Sequence, residues 1–76
     1  MHESPRFFGR RIGMDASEVY SKWEELGLIE RHYDEKHPET AGFWWKITEK
    51  GQTLGGRMSF NGGTPTFDYE KLKDLF

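Results

Sequence analysis

A glycine at position 9, inside a segment that otherwise reads as helix, constrains this chain more than any other residue. Glycine in a helix interior costs roughly 0.5–1 kcal/mol relative to alanine, so its presence calls for a compensating contact. Close approach of a second helix supplies one. The residues that follow meet the demands of two helices folded back across a tight turn. Gly9 is the small residue at the crossing, Ile12 the apolar residue three further on, and Gly13 the turn. Met14 is the apolar residue after the turn, and Val19, five later, docks the second helix. Phe8 and Trp23 extend the contact.

Local signals agree with that reading. Ser4-Pro5 places a serine N-cap before a proline at the first helical position. Phe8 and Ile12 lie four apart and share a face, and Gly13 suits the left-handed conformation in which helices commonly end. Asp15 can cap a second helix, with Glu18 completing an acidic capping box. Val19, Trp23 and Leu26 give it one apolar stripe before Gly27 closes it. The spacing predicts helices over residues 5–12 and 16–26.

The pattern then changes period. Leu28 to Tyr33 reads as a strand with Ile29 and Tyr33 on one face and His32 on the other. Residues 34–42 are polar and carry Pro38, so they form a loop. Phe43 to Ile47 reads as a second strand with Phe43, Trp45 and Ile47 inside and Trp44 facing the other way with Lys46. Trp44 is expected to pack against the C-terminal helix, or else to be an exposed anchor. Thr48 can cap a short helix through about Leu54, although Gly51 sits inside it. Asn61-Gly62-Gly63 is a turn signal between Met58–Phe60 and Thr64–Phe67, which suits a small hairpin or a plain loop. Asp68 can cap a last helix over residues 69–76 with Leu72 and Leu75 inward, and Phe67 and Leu72 stand at the spacing of a hydrophobic staple.

At 76 residues the chain suits one domain with a small core. It has no cysteine, which removes disulfides and thiolate metal sites and fits a reducing cytoplasm. No apolar run, that at Gly42-Phe43-Trp44-Trp45 included, approaches the roughly 20 residues of a membrane span. No signal peptide is visible at the N-terminus. The net charge of −2 lacks the basic excess usual in a dedicated DNA binder, so any nucleic-acid contact needs a local basic face.

The run Glu24-Glu25-Leu26-Gly27-Leu28-Ile29-Glu30-Arg31, a polar loop, and then Trp45-Lys46-Ile47-Thr48-Glu49-Lys50-Gly51 resembles a bacterial winged helix. In that family the first run links the recognition helix to the wing, and the second leaves the wing for the next helix. The order from Phe8-Gly9-Arg10-Arg11-Ile12-Gly13-Met14 to Leu54-Gly55 more specifically resembles the small C-terminal module of phage antirepressor proteins, the KilA-C-like group. The likeness covers about residues 4–56. It implies an α+β winged helix-turn-helix in a single domain: helix-turn-helix over about 5–26, wing over about 28–47, C-terminal extension over 57–76. A complete winged helix carries another helix before this pair, for which the chain has no room. The C-terminal helix, or a second copy in a homodimer, would then cover apolar surface on Trp23, Phe43 or Trp45.

In the family the second helix enters the major groove with its early exposed residues. The matching positions here are Ala16, Ser17, Tyr20, Ser21 and Glu24. Ser17, Tyr20 and Ser21 are the candidates for base contact, although none offers the bidentate pairing of Arg to guanine or Asn to adenine. Asp15, Glu18, Glu24 and Glu25 stand against Lys22 alone on this helix. Asp15 and Glu18 serve its cap; Glu24 and Glu25 would be repelled by phosphates. The candidate phosphate contacts are Arg6, Arg10 and Arg11 on the first helix, Lys36 at the wing tip and Lys46 beyond it, with His37, Lys50 and Arg57 nearby.

Two functions follow. One is a regulator of phage or mobile-element type binding double-stranded DNA. The other is a protein-binding winged helix that docks through Tyr20, Glu24 and Trp44, aromatics being usual interface anchors. His32 and His37, with Asp34 and Glu35 between, fall short of the four ligands of a structural zinc site. No phosphate-binding glycine loop or nucleophile–base spacing is present. The expectation is therefore a non-enzyme with no cofactor, no metal, no small-molecule substrate and no membrane partner.

Overall fold

The computed structural model describes residues 2–33, 42–60 and 63–75. Strand β1 (His2–Glu3) leads into helix α1 (Pro5–Ile12) and helix α2 (Ala16–Glu25), followed by strands β2 (Ile29–Tyr33) and β3 (Phe43–Ile47). A short helix α3 (Glu49–Thr53), strands β4 (Arg57–Met58) and β5 (Pro65–Asp68), helix α4 (Tyr69–Leu72) and a 3-10 turn (Lys73–Leu75) complete the chain. This is a small α+β domain with two antiparallel sheets: β2 pairs β3, and β5 lies between β1 and β4.

The turn after α1 forms as its residues dictate. Gly13 adopts φ 73° and ψ 29°, and the Met14 amide donates to the Gly9 carbonyl at 3.0 Å. A Cβ at Gly9 would overlap the Met14 carbonyl oxygen and sit 3.1 Å from Val19 Cγ2. The missing side chain is therefore what lets the two helices touch. Asp15 closes its capping box with Glu18: the Glu18 amide donates to Asp15 Oδ1 at 3.0 Å, and the Asp15 amide donates to Glu18 Oε1 at 3.2 Å. Ser4 occupies the N-cap position of α1, but its side chain makes no capping bond.

Gly51, an oddity within a helix, has the same steric explanation. A Cβ there would overlap the Leu28 carbonyl oxygen and lie 2.8 Å from Ile47 Cγ2. Helix α3 is thus seated directly on the start of the hairpin. Thr48 secures it by accepting from the Gly51 amide at 3.0 Å and donating to the Gly27 carbonyl at 2.6 Å.

The core is Phe8, Val19, Trp23, Leu28, Ile29, Ile47, Phe67 and Leu72. The C-terminal segment covers what the helix pair leaves open: Phe67 meets Trp23 edge-on at 4.7 Å between ring centroids, and Tyr69 meets Phe8 at 5.6 Å. Trp23 is wholly buried within its own chain. Phe67 and Leu72 are both buried around the Asp68 cap, as the staple spacing requires.

Three expectations need correction, and one strand lay outside them. Leu75 is exposed, not inward. Helix α4 lasts one turn and gives way to the 3-10 turn, none of whose residues is buried. Phe43 is 39% exposed, because only the Ile29–Ile47 pair of the hairpin lies over the core and the later pairs run out past it. Trp44 does not pack against the C-terminal helix. It is 51% exposed, and its ring neighbour is His32 across the strand at 5.9 Å. Finally, β1 was not foreseen. It pairs His2 with Asp68 and Glu3 with Phe67. The His2 ring also bridges the Gly55 carbonyl at 2.6 Å and Arg57 Nη2 at 2.9 Å. Among the described residues, no helix is long and apolar enough to cross a membrane.

Candidate functional site

Helix α2 and the β2–β3 hairpin meet along a ladder of rings and charges. Tyr20, on α2, stacks on Trp45 of β3 at 5.2 Å and 16°. The Arg31 guanidinium lies over both Trp45 and Phe43, at 5.0 and 4.6 Å from their centroids. Glu24 accepts from Arg31 at 3.0 and 3.3 Å. Strand alternation explains the grouping, since Ile29, Arg31 and Tyr33 share one face of β2 opposite Ile47, Trp45 and Phe43. Partial burial pushes the Tyr20 phenol above its ordinary pKa, while a hydrogen bond with Thr64 pulls the other way. The Arg31 pKa is raised, chiefly by its hydrogen bond to Glu24.

These contacts bear directly on the residues named from the sequence. Tyr20 is half-buried against the edge of the core, and the hairpin comes to meet both Tyr20 and Glu24, so both are engaged within the chain. Glu24 therefore has a local partner in Arg31 that the sequence did not reveal. Ser17 is exposed, and its hydroxyl donates to Asp15 Oδ1 at 2.7 Å, so it supports the cap. Ser21 is exposed on the same helix.

The cations divide in the same way. Arg11 grips Glu3 through paired bonds of 2.7 and 2.9 Å and lies over the Tyr69 ring at 5.2 Å. Glu3 is only 9% exposed, so Arg11 is a clamp on the N-terminal strand. The Arg11 pKa is raised, first by that hydrogen bond to Glu3 and then by the carboxylate's charge. Arg6 and Arg10 are exposed one turn apart on α1, with no ion-pair partner among the described residues. Arg10 rests over the exposed Phe7 ring at 5.3 Å. Lys46 is exposed on the outer face of the hairpin. Lys50 donates to the Leu26 carbonyl at 2.9 Å. Lys36 and His37 lie outside the described residues, and so does any joint site with His32. Among the described residues, no group of three acidic, histidine or cysteine side chains is placed to hold a metal.

The far half of the hairpin is aromatic on both faces. Tyr33 is 60% exposed beside Phe43 on the α2 side, and Trp44 projects from the opposite side next to His32. Comparison with family models, with curated proteins and with solved structures yields no match.

Proposed function

We propose that this chain is a winged-helix regulatory module of the phage-antirepressor kind and binds double-stranded DNA. Helices α1 and α2 are the helix-turn-helix, and β2–β3 is the wing. Phosphate contact falls to Arg6 and Arg10 on α1 and to Lys46 on the wing, with Ser17 and Ser21 as the polar groups that α2 presents to a groove. The observation that carries this reading is the exposed arginine pair of α1, which has no ion-pair partner among the described residues and stands one turn apart before the short turn. Arg11 and Tyr20 leave the contact set, because Glu3 and Trp45 already occupy them. With so few base-reading groups, most of the affinity is electrostatic and sequence-tolerant.

A mobility-shift titration of a duplex at low salt tests this. Retardation by the wild type, weakened by Arg6→Ala and Arg10→Ala together, is the expected result. No retardation of any duplex at low salt removes the DNA reading. A second reading, docking on another protein, is favoured by one specific observation: Tyr33, Phe43 and Trp44 are large, exposed and clustered on the wing.

A further inference from the structure

Trp44 and Lys46 stand two residues apart on the outer face of the wing, opposite His32 and Glu30 in the register. Lys46 also lines a cleft of about 500 Å³ together with Ile47, Gln52, Gly56, Arg57 and Met58. The surface thus runs from an exposed indole to two cations. The one acid in the hairpin register of this face, Glu30, is engaged by His32 at 2.9 Å. Arg57 gives one nitrogen to His2, and a guanidinium has five N–H donors in all.

We propose that this outer face binds unpaired nucleotides of DNA, with a base stacked on Trp44 and the adjoining phosphates on Lys46 and Arg57. The inference rests on the DNA reading above and refines it, placing the module where a duplex gives way to a single strand. An aromatic platform beside a positively charged groove is the combination that holds single strands without reading their sequence, because every base offers a π-face and every linkage a negative charge. On the inner face Tyr20, Trp45 and Phe43 already pack on one another or under Arg31, whereas on the outer face the indole of Trp44 is 51% exposed on the same side of the strand as Lys46.

The test compares a blunt duplex with the same duplex carrying a single-stranded overhang of about a dozen nucleotides, by fluorescence anisotropy at low salt. The overhang is expected to bind more tightly by about 5- to 150-fold, the range for loss or gain of one stacked base. Trp44→Ala should abolish that advantage without lowering the melting temperature, and Trp44→Phe should keep part of it. Lys46→Ala should reduce the salt slope for an oligothymidine by about 0.7. Should Trp44→Ala fail to fold, tryptophan emission of a Trp45→Phe variant serves instead, since Trp23 is buried and quenching by oligothymidine then reports Trp44; no quenching overturns the inference. Equal binding of both DNAs, or an advantage that survives Trp44→Ala, overturns the inference and leaves duplex binding standing. If neither DNA binds, the DNA reading falls with it, and the aromatic face is left to a protein.

Discussion

Replacing Gly9 with alanine separates the steric account of the helix pair from simple helix propensity, because the two predict opposite signs. In an open helix the change is worth roughly 0.5–1 kcal/mol in favour of alanine. Here the added methyl would overlap the carbonyl oxygen of Met14, a backbone atom whose residue is pinned by the hydrogen bond its amide donates to the Gly9 carbonyl. It would also press on Val19, which is fully buried and has nowhere to retreat. Overpacking of this kind typically costs 1–3 kcal/mol; at the middle of that range, about 2 kcal/mol, the net loss after crediting propensity is about 1–1.5 kcal/mol. In a domain of this size each kcal/mol moves the melting temperature by about 4–8 °C. Gly9→Ala should therefore lower it by about 4–12 °C, followed by far-ultraviolet circular dichroism on heating and checked by urea titration with an unchanged slope. Gly42 has open space where its Cβ would stand, so Gly42→Ala is the control and should stay within about 0.5 kcal/mol of the parent. A melting temperature that rises in Gly9→Ala would refute the close crossing.

Other outcomes follow from the same contacts. Leu72→Ala should cost about 2–5 kcal/mol by urea unfolding, while Leu75→Ala should change stability by no more than about 0.5 kcal/mol; similar losses for both would contradict the burial of one and exposure of the other. Arg11→Ala should lower the melting temperature, since it strands the nearly buried Glu3 carboxylate, yet leave duplex affinity close to that of the wild type. Arg6→Ala should do the reverse, reducing the salt slope of duplex binding by about 0.9 with no thermal effect. Asp15 and Asp68 are held below the ordinary carboxylate pKa, chiefly by the amides of Glu18 and Glu70 that they cap. Their contribution is therefore complete above the unfolded value of about 4 and lost as pH falls through the lower folded values. The melting temperature should drop along that acid limb, and Asp15→Asn, which still caps, should make the drop shallower.

The helix pair was legible because its signals are local and mutually consistent: Gly9, Gly13 and the Asp15–Glu18 box lie within ten residues and each is met by the expected geometry. The strand alternation of the hairpin was legible for the same reason. What it does not encode is how far the hairpin extends beyond the core, so Phe43 was placed inside when only Ile47 and its partner Ile29 are covered. Strand β1 had no local signal at all. Two residues become a strand only because β5, more than sixty positions later, offers them an edge. The candidate site divides along the same line. Helical spacing put Tyr20 and Glu24 on the outward face, but Trp45 and Arg31, which arrive from another element, decide what those side chains touch. Arg11 likewise looked the same as Arg6 and Arg10 until Glu3 was brought beside it.

Backbone amide chemical shifts of the labelled protein, followed as a duplex is added at low salt, test the central claim most directly. The account predicts perturbations concentrated on α1 around Arg6 and Arg10 and on β3 around Lys46, with smaller ones at Ser17 and Ser21. Perturbations confined to the acidic side of α2, or none at all, would contradict it.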